Sequence, residues 1–116
     1  MFLFVFPGQG SQFVGMGKLL YDAFSSARDV FQEVDNILSQ HLTKLMFEGP
    51  EADLQLTENT QPALMAVSIA LVRVLEKEGR FLLSQKVQYV AGHSLGEYSA
   101  LAAAQSLSLK DAARLL

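Results

Sequence analysis

The chain opens on an unbroken apolar run, Phe2 to Phe6, that stops at Pro7-Gly8. A short run of this kind predicts a strand buried on both faces, as in a parallel sheet. The glycine-rich segment GQGSQFVGMG follows, and from about Met16 to Leu38 apolar residues such as Leu20, Phe24, Ala27, Val30, Phe31 and Val34 recur at spacings of three and four. That period predicts one or two amphipathic helices. Leu42 to Phe47 adds another helical turn or two, closed by Gly49-Pro50, and the polar TENTQ reads as a helix entry with Thr60 or Gln61 near the cap. The helix predicted from Gln61 to Glu78, ended by Gly79, carries PALMAVSIALVRVL and is apolar nearly all round. It belongs in an interior, with Leu71 expected among its buried side chains. Val87 to Ala91 predicts a second short strand, and beyond the GHSLG turn Glu97 to Ala104 and Leu109 to Leu116 read as helices. Strand, helices, strand, sharp turn, helix is the order of an α/β fold with a parallel sheet. Two strands do not make a stable sheet by themselves.

At 116 residues, half of them hydrophobic, the chain has length for one domain or part of one. Charged residues are 18%, against about a quarter in an ordinary soluble domain, which implies surface meant to be covered. Twelve acidic against nine basic residues, the latter scattered singly, argue against a nucleic-acid partner. The absence of cysteine excludes a disulfide framework and fits a reducing, cytoplasmic setting, and two histidines, His41 and His93, are too few for a zinc site of the usual kind. The opening MFLFVF lacks a basic leader region, and the longest mostly apolar run, Ala63 to Leu75, is interrupted by Ser68 and Arg73. It falls short of the roughly 18 apolar residues of a membrane span.

Candidate chemistry centres on Gly92-His93-Ser94-Leu95-Gly96. The apolar VQYVA precedes this Gly-x-Ser-x-Gly and the small-residue run YSALAAA follows it, which is the strand–turn–helix setting of a serine nucleophile. Such a turn forces the serine into a strained conformation and lifts its Oγ above the sheet, and glycine at 92 and 96 lets the flanking backbone crowd together. The Leu95 N–H and the positive end of the next helix then face a developing oxyanion.

The segment Pro7-Gly8-Gln9-Gly10-Ser11-Gln12 is not a dinucleotide fingerprint, because Phe13 stands where the third glycine should be. Nor is it a phosphate-binding P-loop, because Gln12 stands where that motif requires glycine before Gly17-Lys18. It leaves the carboxyl end of a strand, as the serine turn does, and offers Gln9 N–H as a second oxyanion donor. Gly8, Gly10, Gly92, His93 and Gly96 are then the residues that shape and support the two turns. His93 adjoins Ser94 and projects in another direction, and His41 lies in a polar surface stretch, so neither is placed to act as the base. Only Glu97 and Asp111 are acidic after Ser94, and no histidine follows it. These residues provide the nucleophile half of an active site.

Together, FVFPGQGSQFVGMG, TQPALMAVSIAL and AGHSLGEYSAL resemble the malonyl-CoA:acyl carrier protein transacylases of fatty-acid synthesis, over essentially the whole chain. The resemblance implies an α/β-hydrolase-like larger subdomain, incomplete in this chain, with residues 1–116 as its N-terminal part and the ferredoxin-like subdomain and C-terminal part absent. It implies an acyl shuttle through an ester on Ser94, from malonyl-CoA to the phosphopantetheine thiol of acyl carrier protein, with Gln9 and Leu95 amides as the oxyanion hole and no metal or bound cofactor. By the same match, the arginine that pairs with the malonyl carboxylate would fall just beyond Leu116 and the catalytic histidine far beyond it, so that the 116 residues alone are expected to be inactive. Arg114 sits before that arginine on the same helix and does not replace it.

Acyltransferase domains of polyketide synthases share both motifs, and Met1 directly before the first strand together with YSAL favours the free-standing enzyme. A serine esterase or thioesterase would keep the turn and leave GQGSQ without a purpose. A non-catalytic assembly module is favoured only by the missing histidine.

Overall fold

A computed structural model describes residues 3–80, 82, 83, 89–105 and 107–116. Its elements are β1 (Leu3–Phe6), α1 (Lys18–Ala23), α2 (Ser25–Leu38), α3 (Leu42–Glu48), α4 (Glu51–Leu54), α5 (Thr57–Gly79), β2 (Tyr89–Gly92), α6 (Gly96–Ala103) and α7 (Leu109–Leu115). The two strands pair in parallel, Leu3 against Tyr89 through Phe6 against Gly92, as the α/β reading requires. Phe2 and Val87, the predicted first residues of the strands, lie outside the described residues. Among the described residues no helix is long and apolar enough to cross a membrane.

The predicted run from Met16 to Leu38 is two helices. Phe24 breaks it with an extended backbone (φ −131°, ψ 125°), and its N–H caps α1 by donating to the Leu20 carbonyl. α2 then turns Ala27, Val30, Phe31 and Val34 inward, the three-and-four stripe read from the sequence. Phe31 also closes an aromatic cluster with Tyr21 and Phe47, their ring centroids 5.3 to 6.0 Å apart. At the far end of the chain, Ser108 caps α7, its Oγ accepting the Asp111 N–H at 3.1 Å.

α5 starts at Thr57, four residues before the predicted Gln61. Thr60 does not cap it. Its hydroxyl is buried and donates to the Leu54 carbonyl, while Asn59 Nδ2 donates to the Asp53 carbonyl at 2.9 Å, so the polar TENTQ ties α5 to α4, an element the apolar pattern did not announce. Pro62 lies inside the helix near its start, where the carbonyl one turn back loses only one donor. Gly79 is the last helical residue, and the left-handed cap expected of it falls to Arg80 at φ 55°.

α5 packs on both α2 and α6 and is the centre of the core, with Ala63, Met65, Ala66, Ile69 and Ala70 at most 1% exposed. Two expectations of burial fail. Leu71 is 45% exposed, so the all-round apolar helix has one stripe that nothing among the described residues covers. β1 is buried on one face only: Phe6 turns inward, whereas Leu3, Val5 and Tyr89 stand more than half exposed on the other face of the sheet. The period of a pattern shows where apolar side chains point and not what lies over them.

In urea unfolding of the protein, Ile69→Ala should cost about 2–5 kcal/mol, as the truncation of a fully buried side chain does. Leu71→Ala should cost about 1 kcal/mol or less, because nearly half of that side chain already meets water. Equal losses would mean that Leu71 is covered by surface outside these residues.

Candidate active site

The glycine-rich loop after β1 and the serine turn after β2 leave the same edge of the sheet, since Phe6 and Gly92 form its last register pair. Pro7, with its φ fixed and no N–H to give, ends the first strand. His93 N–H still donates to the Phe6 carbonyl at 3.2 Å, one step past the ladder. Carboxyl ends of parallel strands are where α/β sheets bind ligands.

Between β2 and α6 the chain reverses through His93, Ser94 and Leu95. Ser94 has φ 56°, in the left-handed region that residues with a Cβ seldom occupy. Three hydrogen bonds hold it there: Gly96 N–H donates to the His93 carbonyl at 2.9 Å, Glu97 N–H to the Ser94 carbonyl at 3.0 Å and Tyr98 N–H to the Leu95 carbonyl at 3.0 Å. The turn also needs its two glycines for close approach. A Cβ on Gly92 would lie 1.9 Å from the Gly96 carbonyl oxygen, and one on Gly96 would lie 2.3 Å from the Phe6 carbonyl oxygen.

The carbonyls of the turn are therefore all engaged. The Leu95 N–H, in contrast, has no acceptor among the described residues, and it sits at the positive end of α6 with its side chain buried. Ser94 is exposed beside it. This is the arrangement of a hydroxyl next to a spare backbone donor.

The β1 loop brings a second such donor to the same corner. Gly8 lies against the serine turn, where a Cβ would come within 2.7 Å of the His93 carbonyl oxygen and 3.0 Å of His93 Nδ1. The next residue is Gln9, exposed, and its N–H likewise has no acceptor among the described residues. Its side chain is tethered, Nε2 donating to Thr57 Oγ1 at 3.3 Å. Gly10 follows at φ 112°, and its N–H donates to Gln12 Oε1 at 2.7 Å. Gln12 Nε2 donates in turn to Gln55 Oε1.

All the residues singled out in the two motifs thus meet at one edge: Gly8, Gln9 and Gly10 in one loop, Gly92, His93, Ser94, Leu95 and Gly96 in the other. The His93 ring packs on Gly8, and His41 is exposed at the start of α3. Among the described residues no hydrogen bond joins either imidazole to Ser94. Sequence reasoning left Gln12 and Gln55 without a role. The signal for Gln12 was a carboxamide in a glycine-rich loop with no apolar period of its own; for Gln55 there was none.

The model of the acyl transferase domain matches residues 3–116. The malonyl CoA-acyl carrier protein transacylase of Bacillus subtilis (strain 168) is 50% identical over 109 residues, which are 94% of this chain and 33% of that protein. The crystal structure of acyl-carrier-protein-S-malonyltransferase from Bartonella henselae superposes with a TM-score of 0.95 at 59% identity, covering 99% of this chain and 37% of that one. A malonyl-transacylase solved in complex with a type II PKS acyl-carrier protein superposes with a TM-score of 0.89 at 44% identity, covering 97% of this chain and 35% of that one. The chain spans about a third of the length of the curated relatives it matches. With its two loops meeting as described and residues 3–116 all within the match, the chain belongs to the acyl transferase domain family.

Proposed function

We propose that these residues are the N-terminal part of the larger, hydrolase-like subdomain of a malonyl-CoA:acyl carrier protein transacylase, and that they carry its nucleophile. The observation that bears most of the weight is Ser94, exposed at φ 56° beside the unengaged Leu95 N–H. The names of the relatives support malonyl-CoA and acyl carrier protein as its substrates, and a cytoplasmic place in fatty-acid synthesis belongs to the same reading.

An exposed serine beside two unengaged amides supports acyl transfer through a serine ester. Ser94 Oγ attacks the thioester carbonyl of malonyl-CoA, its proton passing to a base. The carbonyl oxygen gathers negative charge, which the N–H groups of Gln9 and Leu95 stabilise. Collapse breaks the C–S bond, the CoA thiolate takes the proton, and a malonyl ester remains on Ser94. The phosphopantetheine thiol of acyl carrier protein, losing its proton to the same base, attacks that ester. The C–O bond breaks, Ser94 Oγ recovers the proton, and the malonyl group leaves as a thioester. The resemblance assigns the base to a histidine and the carboxylate partner to an arginine outside these 116 residues.

Ser94→Ala in the full-length protein should leave the fold intact and abolish the malonyl adduct seen by intact mass after incubation with malonyl-CoA. A variant that still gains one malonyl group refutes the assignment of Ser94. Residues 1–116 expressed alone keep the serine and both amides and lack the base, so their malonyl transfer should be at least about a thousandfold below that of the full-length protein. Comparable turnover would reveal a base within these residues, with His93 the first to test by substitution.

A further inference from the structure

The loop from Pro7 to Gly17 holds its shape without an apolar plug, since Phe13 is 60% exposed and Ser11 and Val14 are exposed too. Its far end is fixed by buried Met16 and by Gly15 N–H, which donates to the Met46 carbonyl at 2.7 Å, and its near end by Gly8 against His93. Between these anchors two side chains hold the loop, Gln9 through Thr57 Oγ1 at 3.3 Å and Gln12, the one that binds the loop's own backbone. Gln12, only 9% exposed, accepts the Gly10 N–H on Oε1, and its Nε2 donates to Gln55, 43 residues away in the link between α4 and α5. Both ends of its carboxamide are engaged.

Gln9 is bracketed by these contacts. The peptide on its N-terminal side, which carries its N–H, is pressed against the serine turn through Gly8; the peptide on its C-terminal side is set by the Gln12 carboxamide. Gly10, at φ 112°, has no side chain of its own to restrain it. Without the carboxamide the Gln9 backbone is anchored through Gly8 on its N-terminal side alone, so the Gln9 Cα can shift and the Gly8–Gln9 peptide, with the N–H it carries, can tilt. An oxyanion donor works only when it is already aimed at the place where charge will develop.

From this we infer that Gln12, anchored by Gln55, is a positioning residue for the oxyanion site: it touches no reacting atom and fixes the aim of the Gln9 N–H. The inference rests on the Ser94 reading above. Its effect is on rate and not on substrate affinity.

The test is rapid-quench kinetics of both half-reactions, loading from malonyl-CoA and transfer to acyl carrier protein, in the full-length protein and three variants. Gln12→Met keeps the length of the side chain and removes the acceptor for Gly10 N–H. Loading should slow by about 10- to 100-fold with KM for malonyl-CoA within about twofold, and transfer should slow by a similar factor because one oxyanion site serves both steps. Gln12→Glu keeps an acceptor oxygen for Gly10 N–H, and Gln55 has an amide nitrogen to offer it, so this variant should recover most of the loss. Gln55→Leu, at an exposed position, should give a smaller loss in the same direction. The inference is overturned by Gln12→Met loading at the wild-type rate, by a loss confined to KM, or by Gln12→Glu as slow as Gln12→Met. Should Gln12→Met fail to fold, wild-type rates in Gln55→Leu overturn it and a slowed Gln55→Leu upholds it. A wild-type protein that takes up no malonyl group overturns the Ser94 reading, and this inference with it, whereas loading unaffected by Gln12→Met overturns the inference alone.

Discussion

The closeness with which α6 approaches the end of β1 sets the geometry of everything at that edge of the sheet. The Phe6 carbonyl oxygen accepts the His93 N–H and also forms the floor beneath Gly96, where a single Cβ would stand 2.3 Å away. Any group there lifts the helix off the strand. The turn between β2 and α6 would then have room to relax, and Ser94 would lose the reason for its left-handed backbone. The position of a candidate nucleophile is in this way a packing property of two backbones, with glycine as the only residue that permits the contact.

Small side chains extend the same logic along α6. Gly96, Ser99, Ala100, Ala102 and Ala103 are the residues it buries, so the helix lies close to both strands and to α5 with little side-chain volume between. α5, which packs on both α6 and α2, supplies the bulk that α6 lacks, with Met65 and Ile69 among its buried side chains. The other face of the sheet has no such cover among the described residues, and Leu3, Val5 and Tyr89 stand open there. That bare face is the structural counterpart of a chain in which charged residues are only 18%.

Legibility in the sequence followed the range of the interactions. β1, the serine turn and α6 were readable almost to the residue, because each is marked by a local sign: Pro7 after an apolar run, Gly92 and Gly96 around Ser94. The start of α5 was misread because the polar TENTQ resembles a capping segment, while Asn59 and Thr60 instead reach back to carbonyls of α4 that no local pattern foretells. Gly79 was taken for a cap that the structure gives to Arg80. Leu71 and the outer face of β1 were read as buried because periodicity reports polarity and is silent about cover. The Gln12 carboxamide stood out in its glycine-rich loop, but its task did not, because its partner Gln55 lies 43 residues away.

On the proposed reading, the corner separates two kinds of function. Aiming the hydroxyl and stabilising an oxyanion are accomplished by backbone: a strained φ at Ser94 and two unengaged amides, held by glycines and one buried carboxamide. Such features are local, and they determine the reaction class, acyl transfer through a serine ester. Choosing the acyl group and moving the proton require side chains that face the bound substrate, a cation for a carboxylate and an imidazole for a proton. Neither His93, turned onto Gly8, nor exposed His41 at the α3 entry is hydrogen-bonded to Ser94 among the described residues. On that reading the two loops fix acyl transfer as the chemistry, and the choice of acyl group is left to side chains that face the bound substrate.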